Sequence, residues 1–212
     1  MPVHGPTSLL AAALLSLGVA GGWTGCDPSP PPPEGSAPAD FTATPASLAL
    51  RDLDGATVQP FAPPAARAVT FIFIHAECPI ANRYAPEIRR LQAQFAPPGV
   101  RWYLVHTDPT VSGDKLRAHQ REYDLPGPVL LDPRHELVRL GDVRVTPEAA
   151  VFDAAGRRVY HGRIDDRFAD FGKARPEPTR RELAEVLRAL VEGRPVTTPE
   201  QPAIGCQIPP LR

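Results

Sequence analysis

The sequence predicts an α/β fold, a central mixed β-sheet flanked by helices and entered through a β-hairpin. Three observations predict it. Residues 69–74, Val-Thr-Phe-Ile-Phe-Ile, form an unbroken apolar, β-branched and aromatic run, the pattern of a strand buried on both faces. After it Ile88, Leu91 and Phe95 recur at helical spacing, and residues 100–106 form a second buried run. Strand, helix and strand in that order imply a right-handed crossover with the two strands parallel. Further on, two short apolar runs at 149–152 and 158–164 flank a turn at 153–156, the mark of an antiparallel hairpin.

Before the fold come two segments of a different kind. Residues 9–20 are a short apolar run followed by Gly21-Gly22-Trp23-Thr24-Gly25-Cys26. The run is too short to span a membrane comfortably and has the length of an export-signal core. Small residues before Cys26 resemble a bacterial lipoprotein signal, in which that cysteine is acylated and becomes the new amino terminus. Trp23 stands where an aliphatic residue is usual, and no Lys or Arg precedes the run. A cleaved signal with an incidental cysteine and an uncleaved anchor are the alternatives. Residues 27–39, with four prolines at 30–33, read as a semi-rigid spacer that holds a folded part away from a membrane. The organisation expected is therefore a signal over 1–26, a spacer over 27–39, one domain over 40–192 and an irregular, proline-rich tail over 193–212 that carries Cys206.

Within the domain, alternating apolar residues over 41–58, broken by Asp54-Gly55, predict the entry hairpin. The central strand 69–75 follows, then the helix that Pro79 opens, since proline suits the first helical position. Trp102, Leu104 and His106 alternate with Tyr103 and Val105 in the second strand. Ser112 is placed to cap a helix reaching Tyr123, with Leu116, His119 and Tyr123 on one face. His119 there reads as a satisfied, partly buried side chain rather than a ligand. A short strand at 129–132, a short helix at 135–140 and the hairpin follow. Thr179-Arg180-Arg181-Glu182 has the form of a capping box for a last helix with Leu183, Val186, Leu187 and Leu190 as its core stripe. Gly162-Arg163-Ile164-Asp165-Asp166-Arg167 reads as a surface charge cluster fixing the loop that follows.

The net charge of −1, with no basic block, argues against nucleic acid as a partner. Only Lys115 and Lys173 are lysines, so arginine supplies nearly all the positive charge. The chemistry concentrates at Cys78. It lies where a strand's carboxyl end meets a helix's amino end, and the exposed N–H groups there favour a thiolate. A helix terminus contributes about 0.3–1 kcal/mol, less than one pKa unit. A moderately lowered pKa is expected, with Arg83 or protonated His75 as the further cation and Glu77 opposing.

These residues resemble the alkyl hydroperoxide reductase/thiol-specific antioxidant (AhpC/TSA) group of thioredoxin-fold redoxins. The strand, Cys78-Pro79, the kinking Pro86 eight residues on, Thr146-Pro147 before the hairpin, and the element order carry the resemblance over residues 41–192. It implies a thioredoxin-like fold and thiol chemistry at Cys78. It also implies that Pro147 is cis and, with Thr146, shapes a substrate groove that Glu77 and Arg83 border. Residues 146–148 and 160–167 look like a subgroup of exported, peroxiredoxin-like redoxins. The chain departs from three members of the wider group. Ala81 stands where dithiol thioredoxins have a second cysteine, His75 where peroxiredoxins have a peroxide-positioning threonine, and Asn82 where copper-delivering redoxins have their second cysteine.

With Cys26 acylated, Cys78 and Cys206 remain as thiols, and an oxidising compartment favours pairing. Fourteen residues from Glu192 reach about 45–50 Å extended, against a radius of gyration of about 15 Å for such a domain. A Cys78–Cys206 disulfide is thus feasible, beside a structural or unpaired role for Cys206. The leading expectation is an exported, periplasmic or cell-envelope thiol–disulfide oxidoreductase, lipid-anchored through Cys26, acting on protein or small-molecule thiols and disulfides. Cys78 is its nucleophile and Cys206 its resolver. A one-cysteine peroxidase acting on peroxide is the first alternative. A non-catalytic metal- or partner-binding redoxin using Cys78 with His75 or His119 is the second. No cofactor is expected, and no residue is assigned to a metal.

Overall fold

The computed structural model describes residues 44–211, so the signal with Cys26 and the spacer lie outside the described residues. A 3-10 turn at Pro45–Ser47 leads into the entry hairpin of β1 (Leu50–Asp52) and β2 (Thr57–Val58). Asp52 Oδ1 accepts the backbone N–H groups of Asp54 and Ala56 at 2.9 and 2.8 Å, and Gly55 takes a φ of 80° in the turn. Then come β3 (Ala68–Phe73), α1 (Pro79–Arg83), α2 (Ala85–Phe95), β4 (Val100–His106), α3 (Gly113–Glu122) and β5 (Val129–Leu131). They are followed by α4 (Glu136–Gly141), β6 (Val145–Thr146), β7 (Glu148–Asp153) and β8 (Arg158–Gly162). A small hairpin of β9 (Phe168–Asp170) and β10 (Lys173–Ala174), the helix α5 (Glu182–Val191) and a two-residue strand β11 (Cys206–Gln207) complete the chain.

The main sheet has seven strands in the order β2-β1-β5-β4-β3-β7-β8. β3, β4 and β5 run parallel, while β7 lies antiparallel to β3, and β8 to β7. The sheet is therefore mixed, as the strand–helix–strand and hairpin signals require. Every residue of β3 is buried, and its side chains alternate between two cores. Ala68 and Ile72 join Ile88, Leu91 and Leu187 on one face; Val69, Phe71 and Phe73 join Leu50, Leu137 and Phe152 on the other. The single helix expected after Cys78 is two: Tyr84 breaks it, and Pro86, which has no N–H, stands in the first turn of α2.

Two expectations are corrected. Thr179 does not cap α5, which begins at Glu182 after Arg181. Instead Thr179 gives both its N–H, at 2.6 Å, and its hydroxyl to the carboxylate of Asp166, which also takes the Arg180 N–H at 3.0 Å. The acid pair is accordingly not at the surface. Asp165 and Asp166 are buried, Asp165 receiving the Tyr84 hydroxyl at 2.7 Å. Hydrogen bonds that no pattern of spacing predicts draw these acids inward.

Burial alone would raise the pKa of Asp166, but the Arg180 N–H, the Thr179 hydroxyl and N–H and the Arg175 charge together hold it at about 2. The sign follows directly. With the folded pKa depressed, this carboxylate stabilises the fold above its ordinary range, and the contribution is lost as pH falls through about 2. Asp166→Ala is expected to cost about 1.5–3 kcal/mol at neutral pH, the usual loss for a charged hydrogen-bond partner. The difference from wild type should shrink in thermal unfolding run toward pH 2.

The tail is less irregular than expected. From α5 it crosses the end of β8 and lays Cys206–Gln207 antiparallel to Val145–Thr146 as β11.

Candidate active site

Cys78 is the N-cap residue of α1: its φ and ψ of −83° and 109° are extended, and Pro79 opens the helix behind it. Sγ accepts the Ala81 N–H at 3.5 Å, the placement that the strand-to-helix junction predicts. The thiol also donates to the carbonyl oxygen of Thr146 at 3.0 Å, bridging 68 positions of sequence. The Thr146–Pro147 peptide is cis, and Pro147 is buried between β6 and β7. Cys78 and Thr146-Pro147 are thus one site.

The tail closes it. Cys206 pairs with Thr146 across the β6–β11 ladder, and the Thr146 hydroxyl reaches the Cys206 carbonyl at 3.5 Å. That pairing brings the thiol and the backbone N–H of Cys206 close enough to Cys78 to favour its thiolate. Neither cysteine is in a disulfide. Cys78 is 0 % exposed, so the sulfur is not open at the helix end as a nucleophile at a bare strand–helix junction would be. Cys206, half-buried, lies against it.

Burial works against the Cys78 thiolate, but the bonds from the Cys206 thiol, the Ala81 N–H and the Cys206 N–H outweigh it, so the pKa is lowered. Cys206 carries the opposite shift: burial first, then its bond to Cys78 and the charge there, push it up to about 11. One sulfur is poised to be thiolate while its neighbour keeps the proton. A pH titration of thiolate ultraviolet absorbance should show one sulfur ionising below the ordinary cysteine value and the other near 11. Cys206→Ala should raise the first, because it removes the side-chain donor that favours the Cys78 thiolate.

The cation expected beside Cys78 is replaced by those donors. Arg83 is exposed, and no ion pair holds it among the described residues. His75 is turned away, its Nε2 at 3.4 Å from Asp108 Oδ2 and its Nδ1 accepting the Glu77 N–H at 3.1 Å. Glu77 is exposed and ion-paired to Lys115. It touches neither cysteine among the described contacts, and Lys115 lowers its pKa first by a hydrogen bond and then by charge.

Two positions take on roles that the sequence pattern did not reveal. Asn82 Nδ2 donates to the Ala76 carbonyl at 3.1 Å, and Asn82 Oδ1 lies 2.7 Å from His119 Nε2. An amide oxygen only accepts, so Nε2 carries the proton. His119 is buried, and burial lowers its pKa, which keeps the ring neutral. His119 thus braces the loop that delivers Cys78. Asn82→Ala is expected to destabilise the fold by about 1–3 kcal/mol by leaving a buried partner unpaired, a loss that chemical denaturation reads. The second position is Gly205, buried between Ile204 and Cys206.

The AhpC/TSA family model matches residues 35–160, more than half of the chain. The chain belongs to the AhpC/TSA family. Among solved structures it is similar to an uncharacterized conserved protein from Geobacillus kaustophilus, at 29 % identity over 76 % of this chain and 87 % of that one, with a TM-score of 0.63. It is also similar to a hypothetical protein from Sinorhizobium meliloti, at 24 % identity over 78 % and 92 % of the two chains, with a TM-score of 0.64. A third similar structure is the pneumococcal exposed lipoprotein thioredoxin from Streptococcus pneumoniae, at 21 % identity over 68 % and 98 %, with a TM-score of 0.50. The fold of this AhpC/TSA member is thus thioredoxin-like. No curated protein matches the chain.

Proposed function

We propose that this AhpC/TSA member is an extracytoplasmic thiol–disulfide oxidoreductase in which Cys78 is the nucleophile and Cys206 the resolving thiol. The observation that carries the reading is the sulfur pair itself: two free cysteines, 128 positions apart in sequence, brought together because Cys206 pairs with Thr146, whose carbonyl accepts the Cys78 thiol. The missing second cysteine at Ala81 is thereby supplied from the tail. The Cys78 thiolate attacks one sulfur of a substrate disulfide; a Cys78–substrate S–S bond forms and the substrate's other sulfur leaves as thiolate. That thiolate takes the Cys206 proton, and Cys206 attacks Cys78 Sγ. The second substrate sulfur leaves, and the protein holds a Cys78–Cys206 disulfide. The substrate has been reduced by two electrons, and an external dithiol must restore the pair. Running the same steps in reverse oxidises a substrate dithiol.

The apolar run at 9–20, Cys26 and the spacer support export and a lipid anchor, and the likeness to a lipoprotein thioredoxin agrees with them. Thr146 and Pro147 shape the substrate groove, with Glu77 and Arg83 at its exposed border.

The test is mass spectrometry after mixing with oxidised glutathione. Wild type should lose two hydrogens and retain no glutathione, whereas Cys206→Ser should accumulate one glutathione on Cys78. Cys78 left unmodified in both proteins would contradict the reading.

A further inference from the structure

The tail does more than bring a thiol. β11 lies in the site as an added strand, Cys206 opposite Thr146 and Gln207 opposite Val145, with the Ile208 N–H donating to the Arg144 carbonyl at 2.9 Å. Strand addition of this kind draws affinity from main-chain bonds and selectivity from the few side-chain positions that meet a constraint. Here one position meets a severe constraint. A Cβ at Gly205 would overlap the Thr146 carbonyl oxygen and carbon and stand 3.2 Å from Pro147 N. Gly205 does not have the positive φ that favours glycine, so space and not backbone conformation demands it. On either side, Ile204 packs against one core of the sheet and Ile208 against the other.

The tail's hold on the body continues upstream. His161 donates its backbone N–H to Glu200 Oε1 at 3.2 Å and places Nε2 3.0 Å from Oε2, while the Arg163 N–H bonds the Gln201 carbonyl at 3.0 Å. Gly162 is the matching glycine of the body, since a Cβ there would overlap the Gln201 carbonyl. Beyond this anchor the strand over the sulfur is only two residues long.

We propose that the groove along Val145–Pro147 is a binding site for an extended cysteine-bearing segment with glycine immediately before its cysteine, and that residues 204–208 of the chain occupy it as an internal competitor. The inference rests on disulfide exchange at Cys78 and adds a substrate class to it. A foreign segment takes the place of β11, aligns its sulfur where Cys206 sits, and is attacked by Cys78. Its bond to its former sulfur partner breaks as the new S–S bond forms, and that partner leaves as thiolate. Any side chain before the cysteine meets the Thr146 carbonyl.

The test uses the full chain carrying Cys206→Ser and two pentapeptides, Ile-Gly-Cys-Gln-Ile and Ile-Ala-Cys-Gln-Ile, each as a mixed disulfide with thionitrobenzoate, whose release is coloured. The glycine peptide should react about tenfold faster or more, since forced overpacking costs about 1–3 kcal/mol. Adding Gly205→Ala to Cys206→Ser should unseat the tail and speed alkylation of Cys78 by iodoacetamide by a similar factor, with unchanged circular dichroism. Should that variant lose its fold, Ile208→Asp loosens the same strand and replaces it. Equal rates for the two peptides, or alkylation indifferent to tail loosening, overturn the inference. Reaction with the small disulfide dithionitrobenzoate separates the failures. If Cys78 exchanges with it but not selectively with the peptides, the groove assignment alone falls; if Cys78 exchanges with neither, the oxidoreductase reading falls as well.

Discussion

Cys78→Ser is expected to reduce disulfide exchange to background, a loss on the order of 10³-fold or more, as when an enzyme's nucleophile is removed. The reason lies in the division of labour between the two sulfurs. Cys78 alone has a lowered pKa, because the Cys206 thiol and N–H and the Ala81 N–H counter the penalty of its burial. Cys206, pushed up to about 11, is almost wholly protonated at neutral pH and cannot start the reaction in its place. A serine hydroxyl at the same N-cap accepts the Ala81 N–H as well or better, so the fold should be kept. Insulin-disulfide or oxidised-glutathione turnover measured beside the melting curve reads the two effects separately. Turnover retained by a folded Cys78→Ser protein would mean that the chemistry lies elsewhere.

Phe71→Ala is expected to destabilise the fold by about 3–5 kcal/mol, lowering the melting temperature by roughly 6–20 °C in a chain of this size. Phe71 is fully buried at the centre of β3 and sits among three rings, with centroids 5.7 Å from Phe61, 5.6 Å from Tyr103 and 5.8 Å from Phe152. Removing it leaves a void walled by β4, β7 and the loop that carries Phe61. The site stands apart from this loss. Phe71 lies in the core on one face of the sheet, Cys78 in the core on the other. At low temperature the exchange rate per folded molecule should therefore stay near wild type. Denaturant titration and a single-turnover assay at the same temperature check both halves.

Much of the fold was legible because it rests on periodicity and punctuation. Residues 69–74 are apolar without a break because β3 is covered on both sides, and Pro79 opens α1 because a proline there forgoes no hydrogen bond. Thr146 and Pro147 stood out by their place before the hairpin. What was not legible depends on contacts between distant residues. Thr179 carries a capping pattern, yet Asp166, thirteen positions earlier, claims its hydroxyl and N–H, and α5 starts later. Reach alone left the role of Cys206 open; β11 pairing with β6 is what brings it to Cys78. The same pairing buries the sulfur that a bare strand–helix junction would expose. Gly205 beside Cys206 was the one local sign of that close approach, since glycine in an apolar stretch marks a place where two backbones meet.

The central claim is that Cys78 and Cys206 act as one two-electron couple, and a redox titration of the full chain tests it most directly. The protein is equilibrated in dithiothreitol buffers of graded oxidation and quenched by alkylation, and its proteolytic peptides are weighed. The account predicts one transition, in which the peptides carrying Cys78 and Cys206 disappear together and a single joined species replaces them. Two cysteines that stay separately alkylatable at every poise, or that pair with other partners, would contradict it.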